Sequence, residues 1–434
     1  MAYITFITPY KPIICGIADY AEFITRKCLP NSWSVLSFNL ARYGVSLSNI
    51  EVSPNAPVCY CIPSRDDFSA SSILKGIRHY EDEVLWFQHE FGIWPDDVRF
   101  VNMLRGLDGT KVVSPHSLHF QSDETIYGLR LREYSFLKLL LPCTDAITVF
   151  SNGVYHAVTK AFPEYSEKIH VLRHGTHLYP DIAKMSRLEA KRRIHEFLIG
   201  ESGLDQASKE KLIRDRIFID PEATIMGGSG FITHSKGIEP LFRARDMLNE
   251  MLPDKKIVAV YVGFLRQTDN KGDSRYVAKI RSKYNDAGHF FSETYLPGDL
   301  LPIMLRALDV HLYWPSDCTQ SGIIAHALGA GATIACRDME GVGETVKKAG
   351  GLTLPDFDRL IHEIKWLVLN PDLRNEMSER AVRFAKEFSW ENQASKHFEL
   401  SEHLYSSRLQ DLTHISPHFN SNEFIVEEKS IAYI

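Results

Sequence analysis

A glycine-rich segment over 227–237 carries the clearest signal for chemistry. It follows an apolar run that predicts a strand, and it places Lys236 directly before a predicted helix over 238–251. A lysine at that point would bring its ammonium group and the helix dipole to one phosphate group. The spacing is not that of a Walker loop, because no serine or threonine follows the lysine. The segment predicts a phosphate-binding site, and the alternative is a solvated loop lysine.

Two other predicted helices begin with a glycine after a strand. Gly16 lies between the first predicted strand and a helix over 17–28, and Ser321-Gly322 begins an apolar helix. The free N–H groups of a first helical turn favour an anion, and glycine lets a ligand approach the backbone. The dinucleotide fingerprint G-x-G-x-x-G is absent. For Gly16 the alternative is an ordinary tight turn, and the apolar residues 323–328 predict core packing.

Two histidine-containing segments follow predicted strands of the first half. The segment QHEFGIW brings His89 and Glu90 to a strand end, and SPHSLH brings His116 and His119. Polar and aromatic side chains at strand ends are typical of a cleft wall, although exposed loops are also polar. The two histidines of SPHSLH have no acidic or cysteine partner at metal-binding spacing, so no metal site is predicted. A histidine there can instead hydrogen-bond a substrate hydroxyl or orient a leaving group.

The elements that must position these residues are short apolar runs that alternate with amphipathic stretches, which predicts parallel sheets with crossover helices. The pattern restarts after about residue 178, beyond a charged stretch over 183–215 that predicts a solvated helical connector. Ligands of such folds bind outside the carboxyl ends of the strands. We therefore expect two α/β domains, 1–178 and 179–388, facing each other across a cleft. The predicted strands are 4–8, 34–38, 84–88, 111–115, 146–151 and 168–174, then 223–232, 256–263, 289–296, 309–315 and 333–337.

Composition excludes several classes of protein. The 434 residues, 44% hydrophobic and 24% charged, suit a globular protein of two domains. A net charge of −6 does not predict a nucleic-acid partner, which requires a basic face. The seven cysteines are scattered, so we expect reduced thiols in a cytoplasmic protein. The N-terminus does not resemble a signal peptide and no apolar run is long enough to span a bilayer, so we expect peripheral membrane contact at most.

The order of these segments resembles glycosyltransferase family 4, the retaining enzymes of the GT-B fold. The resemblance covers about residues 1–405, and the order and spacing of the segments carry it. It implies an α/β protein with two Rossmann-like domains across a cleft, and a segment over 389–434 that crosses back to the first domain as a helix and ends in a tail. The matching segments are GIA at 16–18, QHEFGIW, SPHSLH, RHG at 173–175, GFITHSKGIEP at 230–240, SGIIAHALGAGATIAC at 321–336, EGVGE at 340–344 and FSW at 388–390.

The resemblance also implies a reaction, the transfer of a sugar from a nucleoside-diphosphate sugar without a metal or other cofactor. Stabilising the charge that grows on the departing diphosphate is then the main catalytic task. Gly16 and Lys236 would bind the donor diphosphate, and His116 would lie beside the transferred sugar as a catalytic residue. Ser321 and Gly322 would meet the sugar and its phosphate through the backbone.

The acceptor implied by the resemblance is a glycan, a lipid-linked glycan or a small molecule bound mostly by the first domain. His89, Glu90 and His119 are the residues expected on that side of the cleft.

The sequence departs from the family pattern at two carboxylates. Family members often hold two glutamates separated by seven residues, where this chain has Cys318 and His326. Asp317, one residue away, is the candidate to serve the sugar and is predicted as a second catalytic residue. Because of these departures, a catalytically silent GT-B partner or scaffold protein is an alternative interpretation. A sugar-nucleotide epimerase of the same fold is a further alternative.

Two more donor-binding residues follow from the same alignment. The arginine that often precedes the phosphate-binding lysine is Gly230 here, so Arg266 is the candidate for the second positive charge. Glu344 lies where the family often holds a glutamate near the nucleotide ribose. Its alternative is a first-turn glutamate that the helix dipole favours.

Overall fold

The computed structural model describes residues 2–43, 57–77, 83–265, 271–284 and 288–414. These residues form two separate parallel β-sheets with helices packed on both faces. Two doubly wound α/β units in tandem are the predicted fold class, and the prediction is confirmed. The two sheets lie on either side of the predicted boundary between residues 178 and 179.

The first sheet, as far as the chain is described, has seven parallel strands in the order β3-β2-β1-β4-β5-β6-β7. The strands are β1 (Tyr3–Ile7), β2 (Trp33–Phe38), β3 (Val58–Ile62), β4 (Glu83–His89), β5 (Thr110–Pro115), β6 (Ala146–Val149) and β7 (Ile169–Val171). The helices around this sheet are α1 (Gly16–Thr25), α2 (Ala70–Leu74), α3 (Val98–Arg105), α4 (Leu131–Leu140) and α5 (Asn152–Ala161).

The second sheet has six parallel strands within the described ranges, in the order β10-β9-β8-β11-β12-β13. Its strands are β8 (Thr224–Phe231), β9 (Ile257–Phe264), β10 (His289–Glu293), β11 (Val310–Tyr313), β12 (Ile334–Arg337) and β13 (Leu352–Leu354). The helices that follow β7 are α6 (Pro180–Lys184), α7 (Arg187–Gly200), α8 (Gln206–Arg214), α9 (Ile238–Met251), α10 (Lys271–Lys283), α11 (Leu300–Ala307), α12 (Gly322–Gly329), α13 (Glu340–Lys348), α14 (Phe357–Leu369), α15 (Pro371–Glu387) and α16 (Trp390–His414).

The central strand β4 shows how the core of the first domain forms on both faces of its sheet. All seven residues of the strand are buried. Leu85 and Phe87 point into one hydrophobic cluster, and Val84 and Trp86 point into another. This arrangement follows from the alternation of side chains along a strand, and a parallel sheet covered on both faces requires continuous apolar runs.

The charged stretch over 183–215 differs from its prediction as a solvated connector. It forms α7 and α8, and α7 packs against α11 of the second domain. Its apolar side chains, among them Ala190, Ile194 and Leu198, are fully buried against that domain. The other charged side chains are exposed or partly buried, but Lys191 is buried and bonds Asp309 at 2.6 Å. This segment therefore belongs to the second domain's core.

The last helix, α16, packs against α1, β1 and β5 of the first domain. The crossing is fixed by a short parallel bridge between Thr176 and Ser389. Gly175 is required at this point, since a Cβ there would lie 2.2 Å from the ring of Trp390. Residues 415–434, part of the predicted tail, lie outside the described residues. Among the described helices, none is long and apolar enough to cross a membrane.

Candidate active site between the two domains

A cavity of about 760 Å³ lies between the carboxyl ends of the two sheets. Both domains line it. This is where ligands of doubly wound folds bind, because the strand-to-helix loops converge there. Five of the predicted site residues line it: Gly16, Glu90, His116, Lys236 and Gly322.

Lys236 reaches the cavity from the turn before α9. Its ammonium group lies 3.4 Å from the hydroxyl of Tyr313, and no carboxylate within the described chain pairs with it. Gly237, the N-cap of α9, has a φ of 75° and packs so closely that a Cβ would lie 2.1 Å from the Trp314 carbonyl oxygen. Only glycine suits this left-handed position. The turn therefore holds a cation and a helix N-terminus together at the cavity.

Two further helix N-termini face the cavity, one from each domain. Gly16 begins α1, and a Cβ added there would meet no atom within 4 Å, so a ligand can approach the backbone. Gly322 begins α12 after the N-cap residue Ser321. The first N–H groups of each helix have no partner within the helix. Together with Lys236 they make a site for an anion with several oxygens.

The second domain also lines the cavity with glycines, which expose their backbone to it. Gly230, the residue before the last of β8, has a φ of 118°, and a Cβ on Gly263 would lie 2.1 Å from the Gly230 carbonyl oxygen. A side chain on Gly263 would push β8 and β9 apart, and the positive φ of Gly230 favours glycine there. The glycines therefore form a flat wall against which a ligand can lie.

His116 and Glu90 form the opposite wall, on the first domain. The Nε2 atom of His116 lies 2.7 Å from the side-chain oxygen of Gln88, so this nitrogen carries the proton. Burial holds the pKa of His116 well below its ordinary value, so the ring is neutral. The Glu90 carboxylate accepts bonds from the Ser117 hydroxyl at 2.6 Å and from the Phe91 N–H at 3.0 Å. Burial raises the pKa of Glu90.

His89 was predicted on the acceptor side, and the structure places it elsewhere. It is fully buried and stacks on Phe136 with ring centroids 4.4 Å apart. Burial lowers the pKa of His89 to about 3. Because successive side chains of a strand point to opposite faces, His89 faces the core, whereas Gln88 bonds His116 and Glu90 lines the cavity. It is a core histidine.

His119 and Asp317 lie outside the cavity lining and join the two domains. The His119 ring contacts Glu133 at 2.5 Å through Nδ1 and Asp317 at 3.1 Å through Nε2. Asp317 also accepts a bond of 2.8 Å from Arg130. Burial alone would lower the pKa of His119, but its bonds to Glu133 and Asp317 raise it overall. The predicted roles of Asp317 in catalysis and of His119 at the acceptor gain no support from these positions.

Glu344 likewise lies outside the cavity lining. Its carboxylate accepts bonds from the N–H groups of Asn152 at 3.0 Å and Gly153 at 2.9 Å, at the N-terminus of α5 in the first domain. Arg173 donates a third bond at 2.6 Å. Burial raises the pKa of Glu344, but these bonds outweigh it and hold the pKa below its ordinary value. Glu344 thus binds the other domain, and nothing in its position supports the predicted contact with a ribose.

Glu340 makes a similar contact that the sequence did not suggest. It accepts bonds from the N–H groups of Phe120 at 2.7 Å and Gln121 at 3.2 Å, and its own N–H donates to the Gln121 side chain. Its φ of 46° is uncommon for a residue other than glycine. We call the bonds made by Asp317, Glu340 and Glu344 the carboxylate contacts.

The two remaining predicted residues are Ser321 and Arg266. Ser321 lines a side cavity of about 10 Å³ with His174 and Gln320, next to the main cavity. Arg266 lies outside the described residues, so its role stays a prediction. Across the described chain, no group of three or more His, Cys, Asp or Glu is placed to hold a metal ion.

An aromatic cluster beside the cavity was missed by the sequence analysis. We call it the ring cluster, and its members are Tyr20, Phe23, His174, His177, His326 and Trp390. His177 stacks on His326 with centroids 3.8 Å apart, and the Tyr179 hydroxyl lies 2.6 Å from Nδ1 of His326. Burial lowers the pKa of His174 and His326 to about 4 and that of His177 to about 2. These rings are neutral parts of the interface.

Comparisons with known proteins identify the fold of this chain. The sequence matches no family model, and it matches no curated protein. The structure resembles trehalose-phosphate synthases. One from Burkholderia multivorans has a TM-score of 0.65 and 10% identity, covering 98% of this chain and 100% of that one. One from Burkholderia xenovorans, in complex with glucose-6-phosphate, has a TM-score of 0.64 and 12% identity, covering 93% and 100%.

A third similar structure, from E. coli, is bound with UDP-2-fluoro glucose. It has a TM-score of 0.61 and 11% identity, covering 92% of this chain and 99% of that one. Such low identities show the fold alone, which is GT-B as predicted. The expected resemblance to family 4 is not shown specifically, because these similar structures are trehalose-phosphate synthases.

Proposed function

We propose that this protein is a retaining glycosyltransferase that moves a sugar from a nucleoside-diphosphate sugar to a hydroxyl of an acceptor, without a metal. The observation that carries the proposal is the anion site of Lys236 and three helix N-termini in the cavity between the domains. The similar structure bound with UDP-2-fluoro glucose supports a donor of this class.

The charge of the departing group decides what the site must do. Breaking the bond between the sugar and the diphosphate leaves a second negative charge on the terminal phosphate. Lys236 and the N–H groups of α9 and α12 are already in place, so they stabilise that charge without rearrangement. The acceptor oxygen forms a bond to the sugar carbon that the diphosphate leaves. The proton of the acceptor hydroxyl passes to the departing phosphate.

The first domain supplies the acceptor side of this reaction. Glu90 accepts a bond from the acceptor hydroxyl and orients it. His116 is neutral because burial lowers its pKa, so it offers hydrogen bonds to the transferred sugar without adding charge. The ring stays in a fixed orientation because Gln88 holds its Nε2 atom.

A catalytically silent GT-B protein is the second candidate, and one observation favours it. In the described lining of the cavity, the second domain contributes no carboxylate. Asp317 is engaged with His119 and Arg130, and Cys318 donates its thiol to the Gln320 carbonyl at 3.0 Å. A silent protein would bind a nucleoside diphosphate without turning over any donor.

Calorimetry with a panel of nucleoside diphosphates, followed by a donor screen for nucleotide release with and without acceptors, tests both candidates. Lys236→Ala should weaken nucleoside diphosphate binding by about 1.5–3 kcal/mol, the range of a charge-assisted hydrogen bond. Lys255→Ala is the matched control, since that exposed lysine lies beyond the other end of α9. Equal affinity in both variants would show that Lys236 is only a loop lysine.

A further inference from the structure

Lys236 contacts the side chain of Tyr313, the last residue of β11. Its ammonium group donates to the Tyr313 hydroxyl at 3.4 Å and lies over the same ring, 5.9 Å from the centroid. Tyr313 is only 4% exposed, and it lines the cavity together with Lys236. An aromatic face attracts a cation within about 6 Å of its centroid. Lys236 therefore meets both the hydroxyl and the ring of one buried tyrosine.

The turn before α9 and the segment after β11 are fixed to each other by their backbones. The Ser316 N–H donates to the Ser235 carbonyl at 3.1 Å. Gly237 packs so closely against Trp314 that a Cβ would lie 2.1 Å from the Trp314 carbonyl oxygen. These contacts lie directly beside Lys236 in the chain, so the fold itself brings the lysine to the tyrosine.

The hydrogen bonds around the Tyr313 hydroxyl have a defined direction. The Cys318 thiol donates to the Gln320 carbonyl at 3.0 Å, and its sulfur lies 3.5 Å from the tyrosine hydroxyl. Because the thiol proton is already engaged, the sulfur accepts the tyrosine proton, and the tyrosine oxygen keeps its lone pairs for the lysine. A chain of four groups thus runs from the ammonium of Lys236 to the Gln320 carbonyl, next to the N-cap of α12.

The two middle groups of this chain are uncharged at neutral pH. Burial raises the pKa of the Tyr313 hydroxyl well above its ordinary value, and burial also raises the pKa of the Cys318 thiol. Both groups therefore keep their protons. A carboxylate in the place of the tyrosine would also hold the lysine, but it would cancel the positive charge. A neutral oxygen fixes the ammonium and leaves its charge for a bound anion.

A lysine benefits from such a partner because its side chain is flexible. The four-carbon stem has several rotatable bonds, and fixing them when a ligand binds costs conformational entropy. A partner that already holds the ammonium group in the unliganded protein removes part of that cost. The diphosphate then meets a cation that is in place before the reaction starts.

We propose that Tyr313 is a positioning residue for Lys236, and that its hydroxyl holds the ammonium group toward the donor diphosphate without neutralising it. This inference rests on the proposed function, because that function gives Lys236 its ligand. Tyr313 acts through Lys236 and not on the reacting atoms. Tyr313→Phe tests the hydroxyl alone, since it keeps the ring.

The first test uses the unliganded protein. Acetylation of Lys236 by an amine-reactive reagent is followed by mass spectrometry, with the exposed Lys255 as internal reference. Tyr313→Phe should raise the rate at Lys236 at least about threefold, because an acceptor oxygen stabilises the charged ammonium over the free amine that reacts. An equal or lower rate at Lys236 would overturn the proposal.

The second test measures anion binding by calorimetry. Tyr313→Phe should bind pyrophosphate and the best nucleoside diphosphate about 3–10-fold more weakly than wild type, the effect of one hydrogen bond. Tyr10→Phe is the matched control and should bind both as wild type does. Tyr10 is also buried, and its hydroxyl bonds Thr25 at 2.8 Å, but it lies outside the described lining of the cavity. Equal affinities in the two variants would contradict the role of Tyr313.

A double-mutant cycle separates positioning from a structural effect. In a Lys236→Ala background, adding Tyr313→Phe should weaken nucleoside diphosphate binding by less than about twofold, because the group that the hydroxyl holds is gone. A loss of the same factor in both backgrounds would show that Tyr313 acts through the fold or directly on the ligand, and the proposal would be wrong.

The two proposals fail in different measurements. If wild-type protein binds no nucleoside diphosphate, the proposed function is wrong, and the acetylation rates still decide whether Tyr313 holds Lys236. If wild-type protein binds a nucleoside diphosphate and Tyr313→Phe binds it equally well, this inference fails alone.

Discussion

The two domains contact each other in two ways that differ in the kind of force. The ring cluster lies beside the cavity and joins the domains through stacked, neutral rings. The carboxylate contacts lie outside the cavity lining and join them through charged, directional bonds. The comparison teaches that the charged bonds which hold the domains lie apart from the cavity, whose charged lining residues in the described chain are Lys11, Asp19, Glu90 and Lys236.

Lowering the pH should destabilise the ring cluster before it weakens the bonds of Asp317 and Glu344, and this is the largest effect we expect. The ring-cluster histidines have lowered pKa values in the folded state, so the unfolded chain binds more protons below about pH 6.5 and stability falls as pH decreases. Three such histidines lower the free energy of unfolding by up to about 4 kcal/mol per pH unit between roughly pH 5.5 and 4.5. Urea denaturation across a pH series measures it.

The carboxylate contacts of Asp317 and Glu344 should survive that change, whereas burial raises the pKa of Glu340, so its contact is lost at a higher pH than theirs. The pKa values of Asp317 and Glu344 lie below their ordinary values, since hydrogen bonds outweigh burial, so their contribution is lost only as pH falls through those lowered values. His326→Gln should reduce the slope by about 1.4 kcal/mol per pH unit. A stability that stays constant from pH 7 to pH 4.5 would contradict the assignment of neutral rings.

Trp390→Ala should be the most damaging single substitution in the ring cluster. The indole is buried against Tyr20, Phe23 and Gly175, so its removal leaves a cavity and should cost about 3–5 kcal/mol. Thermal unfolding measures the loss. Trp366→Ala is the control, because that ring is 52% exposed on α14 and should cost far less. Similar losses in both variants would mean that α16 does not hold the first domain.

Glu344→Gln tests the strongest of the carboxylate contacts. It leaves the buried Arg173 without its charge partner, so we expect a loss of about 2–3 kcal/mol in stability and no change in nucleotide affinity. Glu379→Gln, which alters an exposed glutamate 3.9 Å from Arg383, should change stability by less than about 0.5 kcal/mol. Weaker nucleotide binding at unchanged stability would restore Glu344 as a ribose ligand.

Asp317→Asn should have the smallest effect. Its carboxylate is 52% exposed, so solvent screens the bonds to Arg130 and His119, and we expect a loss below about 1 kcal/mol. Turnover of the donor is the second measurement. A fall of about 10²-fold or more at unchanged stability would mean that Asp317 acts on the sugar, and it would refute the purely structural contact.

Elements with a strong local pattern were predictable from the sequence. The predicted range 238–251 coincides with α9, because apolar residues recur there at helical spacing. β3 and β13 were missed. They are short edge strands whose residues, apart from Ile62, are only partly buried.

The site was predictable where a glycine or lysine at a helix start decides the chemistry. Gly16, Lys236 and Gly322 line the cavity for that reason. The positions of Asp317 and Glu344 were not predictable, because their partners lie in the other domain. No local sequence pattern indicates which loops meet across a cleft. The ring cluster was missed for the same reason, since its rings come from both domains and from α16.

The crossing of α16 has a consequence for synthesis on the ribosome. The first domain is translated first, yet Trp390, which packs against Gly175 and α1, emerges about 200 residues later. At about 5–20 residues per second, that interval is roughly 10–40 s. During it, the apolar surface that α16 covers in the finished protein faces solvent or a chaperone. The first domain therefore completes its folding only after the second has been made.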